Sequence, residues 1–314
     1  SMHNMEEMMD YEKERWKEKG PYWIFGIALF MFYPLVLPEL IKPLYEILLS
    51  HFDECSTFVL LMLIVHHISY TVHCAILIAI AFLKNPSLEK FRVNPSSWPW
   101  EVDMPLIKRN AVTLFFNFFL ITPIVAYIGY KIDLFSTRFE PIYPSFTEVL
   151  WQIFFCMVTE DIWSYTFHAL NHWGPFYRNI HKKHHQYNIT IGISAEYAHP
   201  IEFMMVNIAA MATGVIILRK RMHYISFLSW MSYRIGDTVD QHGGYEFPFS
   251  PFSIMPFATT AHFHDYHHSA NIGNYGSQFA ILDALFNTSP GFYNHMKKRN
   301  KKYVKRAPQG SHIE

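Results

Sequence analysis

The stretch "HKKHHQYN" at 181–188 places three histidines within five positions, and "HFHDYHH" at 262–268 repeats the crowding later in the chain. Imidazole is costly to cluster, because each neutral ring needs a hydrogen-bond partner and each protonated ring repels its neighbours. His181, His184 and His185 stand at i, i+3, i+4, as do His264, His267 and His268, and an earlier pair, His168 and His172, stands at i, i+4. On an α-helix each set lies on one face, so each is expected to present its rings to a common point. His242, in "DQHGGYEF", adds a ninth candidate. One zinc takes about four protein ligands, so this many rings suits two ions. Nitrogen donors without thiolate suit iron, zinc or copper.

Ligating histidines usually give their second N–H to a carboxylate or carbonyl, which fixes the tautomer. Asp161 precedes His168 by two helical turns, and "TED" follows an apolar stretch where a free carboxylate would be costly. Asp161 and Asp240 are therefore expected to support the ligands, with His199 in "AEYAHPIE" a ligand or a supporting group. Asp265 reads equally well as a surface acid. His262, two residues before His264, is expected to point away from the site. His66, His67 and His73 sit within an apolar run and read as neutral rings bonded to a neighbouring helix. His3, His51, His223, His295 and His312 read as solvent-facing.

The surrounding elements must hold these rings in place. The chain of 314 residues is 51% hydrophobic and 18% aromatic but only 17% charged, too apolar for an ordinary soluble enzyme. Its net charge is zero with histidine neutral, so overall charge points to no nucleic-acid partner. The N-terminal segment is polar and acidic, unlike the basic start of a secretory signal. Cys55, Cys74 and Cys156 are odd in number and widely spaced, and read as reduced core thiols. The runs 57–83, 111–130 and 201–218 are long enough to span a bilayer, whose core is about 30 Å thick. The run 224–236 is shorter and carries Arg234, and reads as part of a hairpin with the third. The proline-broken run 22–38 either spans or lies in the interface. "RKR" (219–221) at the hairpin's tip conflicts with the cytoplasmic bias of basic residues, a conflict that a hairpin dipping in without crossing would remove.

The expected architecture is an all-α integral membrane protein. It has about four transmembrane helices and a helical cap holding a histidine-rich dimetal site. The chain divides into an N-terminal polar and interfacial segment (1–56), a first transmembrane pair with connectors (57–145) and a histidine-bearing region (146–314) that contains a second hairpin (201–239). A metal transporter is also apolar and histidine-rich, but its ligands usually sit within the spans, whereas these sit in charged segments outside them.

The motifs HxxxH, HxxHH and HxxHH resemble those of the fatty acid hydroxylase/sterol desaturase superfamily of membrane-bound, oxygen-dependent di-iron enzymes. The words "AEYAHPIE", "HGGY", "HDYHH" and "IGNYGSQF" are most similar to its C-4 methylsterol oxidase branch. Three departures stand out: Trp173 follows His172, where this branch often has a second histidine, Phe263 falls within "AHFHDYHH", a stretch that is often "HHDFHH" in relatives, and "GSHIE" ends the chain in place of the dilysine signal of some relatives. The resemblance implies two iron ions, replaceable by zinc on purification, and stepwise oxidation of a sterol 4-methyl group to alcohol, aldehyde and carboxylate. Another sterol desaturase or lipid hydroxylase of the superfamily is the alternative. The chain has no GxGxxG and no haem attachment motif, so electrons must come from outside. The family implies a cytochrome b5-type donor fed by an NAD(P)H-dependent reductase; Arg178, Lys182, Lys183 and the basic tail 297–306 read either as its docking face or as solvated surface residues. It also implies a multi-pass protein of the endoplasmic reticulum membrane with its catalytic face in the cytosol.

Overall fold

In this computed structural model, which describes residues 2–289 and 291–306, the chain forms helices and loops. The only β pairing among the described residues is isolated bridges such as Arg92 with Tyr245. α1 (Met2–Lys19), α2 (Trp23–Phe30) and α3 (Leu37–His51) form one long helical run, with a π turn at Phe32–Val36 beside Pro34 and Pro38. α4 (Glu54–Leu83) starts where the Asp53 carboxylate accepts from the Ser56 N–H (2.7 Å) and ends at Lys84, in the left-handed region at φ 46°. α5 (Met104–Phe116) passes through a second π turn, Asn117–Ile121, into α6 (Thr122–Lys131). α7 (Phe146–Asn171) begins at the Ser145 cap, and the short α8 (Gly174–Asn179) follows it. A third π turn, Phe203–Ile208, leads into α9 (Ala209–Leu218), and α10 is Tyr224–His242. α11 (Ala261–Ala270), α12 (Ile281–Phe286) and α13 (Phe292–Arg306) complete the chain.

Four stretches are long and apolar enough to cross a membrane: His3–His51, Glu54–Leu83, Met104–Lys131 and Pro200–Arg221. The run 22–38 thus belongs to a helix able to span. No more than 39% of the apolar window in any of the four is buried. Ile24, Phe25, Val72, Ile76, Phe115 and Phe119 point outward, an arrangement that lipid favours and water does not.

Two features of the expected hairpin bear on the site. First, the helix 200–221 is long and apolar enough to cross a membrane. Arg219 pairs with Asp133 (2.5 Å) and Lys220 donates to the Thr137 carbonyl, so the basic tip sits with the 131–148 connector at the end of the molecule away from the histidines. Second, the hairpin's two arms meet each other, with Trp230 Nε1 donating to the Met211 carbonyl (2.9 Å), but pack mainly on other helices. α9 packs chiefly on α7, where a Cβ on Gly214 would come within 2.5 Å of Cys156 Sγ, and α10 packs chiefly on α4. α10 is the central helix, with seventeen of its nineteen residues buried. Arg234 lowers its apparent hydropathy, yet that guanidinium is satisfied internally by the Glu160 carboxylate (2.6 Å).

Other single-residue expectations fall out as follows. His223 is buried and not solvent-facing: its Nδ1 accepts from the Ile225 N–H to cap α10, and its Nε2 donates to the Glu140 carbonyl (3.1 Å). His3, His51 and His295 are exposed, and His312 lies outside the described residues. His73 meets the Tyr33 hydroxyl (2.9 Å) and His66 pairs with Glu196 (3.3 Å), but His67 bonds its own helix at the Leu63 carbonyl. Cys74 and Cys156 are buried and Cys55 half-buried, all as free thiols.

α7 and α10 carry polar groups along their buried faces. On α7 the buried stripe runs Ile153, Cys156, Met157, Glu160, Asp161, Ser164, His168, and so changes from apolar to polar towards its C-terminus. On α10 Arg234, Asp237, Gln241 and His242 do the same. Both helices deliver their polar ends to the same place.

Candidate metal centre

All nine predicted rings meet there, in two groups. His168, His172, His181, His185 and His267 form one, and His184, His242, His264 and His268 the other, with the ligand atoms of each group within 4.8 Å of one another. The expectation that each HxxHH motif serves one point is corrected. The i, i+4 pair His181 and His185 goes to the first group and His184 to the second, while His264 and His268 go to the second and His267 to the first. Each motif therefore straddles both groups. The local backbone contributes, because 181–186 is a 3-10 helix, whereas 264–268 lie in α11. α11 starts at the Thr260 cap, whose hydroxyl accepts from the Phe263 N–H, and ends at Asn271 in the left-handed region.

Five of the nine rings have an Nδ1 partner that fixes their orientation, while His185 Nδ1 and His268 Nδ1 are buried without one. His168 Nδ1 donates to the Tyr275 carbonyl (3.1 Å), His184 Nδ1 to Tyr197 (3.1 Å), His242 Nδ1 to Thr238 (2.8 Å) and His267 Nδ1 to Gly273 (2.5 Å). His181 Nδ1 faces the Glu202 carboxylate at 2.5 Å. A neutral imidazole with its proton on Nδ1 has only a lone pair on Nε2. Yet the Nε2 atoms face each other: His168 and His267 at 3.0 Å, His172 and His181 at 2.9 Å, His181 and His185 at 2.9 Å. In the second group His242 and His264 stand at 2.9 Å and His264 and His268 at 3.1 Å. Lone pairs at that range repel unless a cation lies between them. Metal ions fit this donor set.

Burial lowers the proton affinity of all nine rings, and in all but His181 neighbouring rings lower it further; His181 is pushed down to about 3. The rings are thus neutral, and able to bind metal, through the physiological range.

The supporting groups differ from those expected. Asp161 reaches no ring. Its Oδ1 accepts from the N–H groups of Ser277 (3.1 Å), Gln278 (2.8 Å) and Phe279 (3.1 Å), so it anchors the segment whose Tyr275 carbonyl holds His168. Burial, then the neighbouring Glu160 charge, raises its pKa to about 7. Asp240 turns away from the rings and accepts from Ser250 Oγ (2.9 Å). His199 caps the helix 200–221, its Nδ1 accepting from the Ile201 N–H (3.2 Å). Asp265 is buried rather than superficial. His262 points away, as its spacing implied, into a cleft beside Glu246. Glu202 was not anticipated. The available signal was a carboxylate at the mouth of an apolar run, a position that demands a partner.

Fold and rings together define a class: a helical membrane protein with two histidine groups built for metal. Comparison with known proteins narrows it. The fatty acid hydroxylase family matches residues 153–288, the interval that holds all nine rings. Methylsterol monooxygenase 1 of Danio rerio is 35% identical over 236 residues, covering 74% of this chain and 78% of the relative. Methylsterol monooxygenase 1 of Gallus gallus is 33% identical over 246 residues, covering 77% and 80%. The C-4 methylsterol oxidase erg25 of Schizosaccharomyces pombe is 31% identical over 221 residues, covering 68% and 71%. No solved structure gives a significant match. The chain belongs to the fatty acid hydroxylase family, among relatives named methylsterol monooxygenase, and is an oxidoreductase.

Proposed function

We propose that this chain oxidises the 4-methyl group of a sterol stepwise to alcohol, aldehyde and carboxylate at a centre of two iron ions held by the nine histidines. The observation that carries the reading is the convergence of imidazole nitrogens into groups of five and four. When bound, iron in this setting supplies the reduction of dioxygen to an oxidant able to take hydrogen from an unactivated methyl group. The chain's own residues do the rest. The Nδ1 carbonyl bonds fix the tautomers of His168, His184, His242 and His267, and Glu202 raises the donor strength of His181. The apolar walls keep out water while the substrate methyl is positioned. The first round consumes one dioxygen, two electrons and two protons, and yields the alcohol and water. The electrons come from a cytochrome b5-type donor and its NAD(P)H-dependent reductase, and exposed Arg178 and Lys182 offer that donor a basic face beside the rings.

The test is reconstitution with NAD(P)H, reductase, cytochrome b5 and dioxygen. A 4-methylated sterol should gain oxygen at that methyl in successive steps, and nothing should form without dioxygen or donor. Loss of two ring hydrogens with no oxygen gained would identify a desaturase instead.

We also place the rings on the cytosolic face of the endoplasmic reticulum membrane. Lys84, Lys90, Arg92, Arg178, Lys182 and Lys183 lie on the connectors at the histidine end. The opposite tip also carries Arg138, Arg219, Lys220 and Arg221, so the cytosolic source of the electrons, rather than charge alone, supports this orientation. Asn188 and Asn287, exposed in "NIT" and "NTS" at the histidine end, should then carry no glycan. A mobility shift removed by endoglycosidase would reverse this topology.

A further inference from the structure

Two cavities meet inside the bundle. One is mostly apolar, walled by Met62, Phe203, Met211, Phe227 and Met231 between α4, α6, α9 and α10, with the His66–Glu196 pair also on its wall. The other faces the centre, walled by His168, His181, His184, His242, His264 and Glu202. Asn207 and Arg234 are the two residues common to both. Arg234 is already engaged by Glu160 (2.6 Å). Asn207 Nδ2 is different: it is buried and has no hydrogen-bond partner in the described structure. It lies in the π turn Phe203–Ile208, a backbone irregularity that recurs at functional sites. A buried amide N–H₂ without an acceptor is a cost that folding alone does not explain, and a ligand oxygen at the neck would remove it.

We infer that Asn207 binds the oxygen on the ring carbon next to the methyl being oxidised, with the ring system in the apolar cavity and the methyl towards the histidines. The inference rests on the function proposed above. In a sterol the 3-hydroxyl stands on the carbon adjacent to C-4, so an oxygen held at the neck brings the 4-methyl group to the side of the rings. The same contact selects for substrate, because a hydroxyl or ketone oxygen accepts from the amide and a 3-deoxy ring does not. The free space here is about 30 Å³ on the apolar side and about 60 Å³ on the histidine side, room for water only. Entry therefore requires wall side chains to move, and three of those named are methionines, unbranched and adaptable.

A larger apolar groove of about 660 Å³, between α2 and α4 and lined by Val72, is the rival route. The test compares a 3-hydroxy 4-methylsterol with its 3-deoxy analogue, using full-length, iron-loaded protein and the electron donors. Wild type should favour the hydroxy substrate by about tenfold or more in kcat/KM. Asn207→Leu should bring that ratio close to one without changing metal content, and Val72→Trp should leave the ratio as in wild type. Equal turnover of both substrates by wild type would overturn the inference while leaving the proposed function standing, whatever the folding of the variant. So would an unchanged ratio in Asn207→Leu, or a block by Val72→Trp alone. No turnover of any 4-methylsterol by wild type would overturn the proposed function itself.

Discussion

The two histidine groups are built from the same motifs but anchored differently. The group of four is wholly buried, and its anchors are main-chain carbonyls: Tyr197 for His184 and Thr238, within α10, for His242. The group of five includes the half-buried His172 and leans on a carboxylate, Glu202, at His181. Its His168 is held by the Tyr275 carbonyl, on a segment pinned by Asp161 and by Asp283, which accepts from the Tyr275 and Gly276 N–H groups. Carbonyl anchors are insensitive to pH and to side-chain substitution, whereas carboxylate anchors are sensitive to both. Both groups thus have two rings fixed by main-chain carbonyls, His168 and His267 in one and His184 and His242 in the other, and only the group of five adds an adjustable carboxylate anchor.

The largest effect should come from removing a ring. His184→Ala, in the group of four, and His267→Ala, in the group of five, should each abolish turnover and lower metal content measured by elemental analysis. His51→Ala, exposed at the opposite end, should change neither. Full metal content in both ring variants would break the assignment of either group as a metal site.

Glu202→Gln sharpens the comparison. The amide still accepts from His181 Nδ1 but carries no charge, so metal should be held about 10–100-fold more weakly by the group of five. Titration with a chelator should then release one class of ion early and leave the other as in wild type. Equal weakening of both classes would mean that the groups are not independent.

The smallest effect concerns Asp161, whose folded pKa of about 7 lies above the ordinary 3.8. The folded state binds this proton more tightly than the unfolded one. Its contribution to stability is therefore complete below about 3.8 and lost as pH rises through about 7. Asp161→Asn keeps an oxygen for the three N–H groups but cannot ionise. Its melting temperature should fall less than that of wild type between pH 5 and pH 8, and His172→Ala should leave that difference in place. Parallel pH profiles for wild type and Asp161→Asn would remove the titration from the account.

Much of this was legible without a structure, for identifiable reasons. Spacing picked out eight of the nine rings that converge, because imidazoles at i, i+3, i+4 have few other uses in an apolar chain; His242, in no spaced set, was only an added candidate. Run length marked the membrane-crossing helices, because a bilayer sets a minimum number of apolar residues. Composition could not reveal that α10 is central. Arg234 and Asp237 depress its hydropathy, and only their partners, Glu160 for one and Gln241 and Gln278 for the other, make their burial tolerable. Nor could spacing assign rings to groups, since a motif of five residues subtends both points and the neighbouring helices decide which way each ring turns. The misread supports share that cause. Asp161 lies on the predicted face of α7, but the 277–279 backbone reaches it first, and Glu202 meets His181 only because the mouth of the 200–221 helix folds beneath the 181–186 turn. Residue type and periodicity determined which atoms are available for chemistry; packing between segments distant in sequence decided which of them meet.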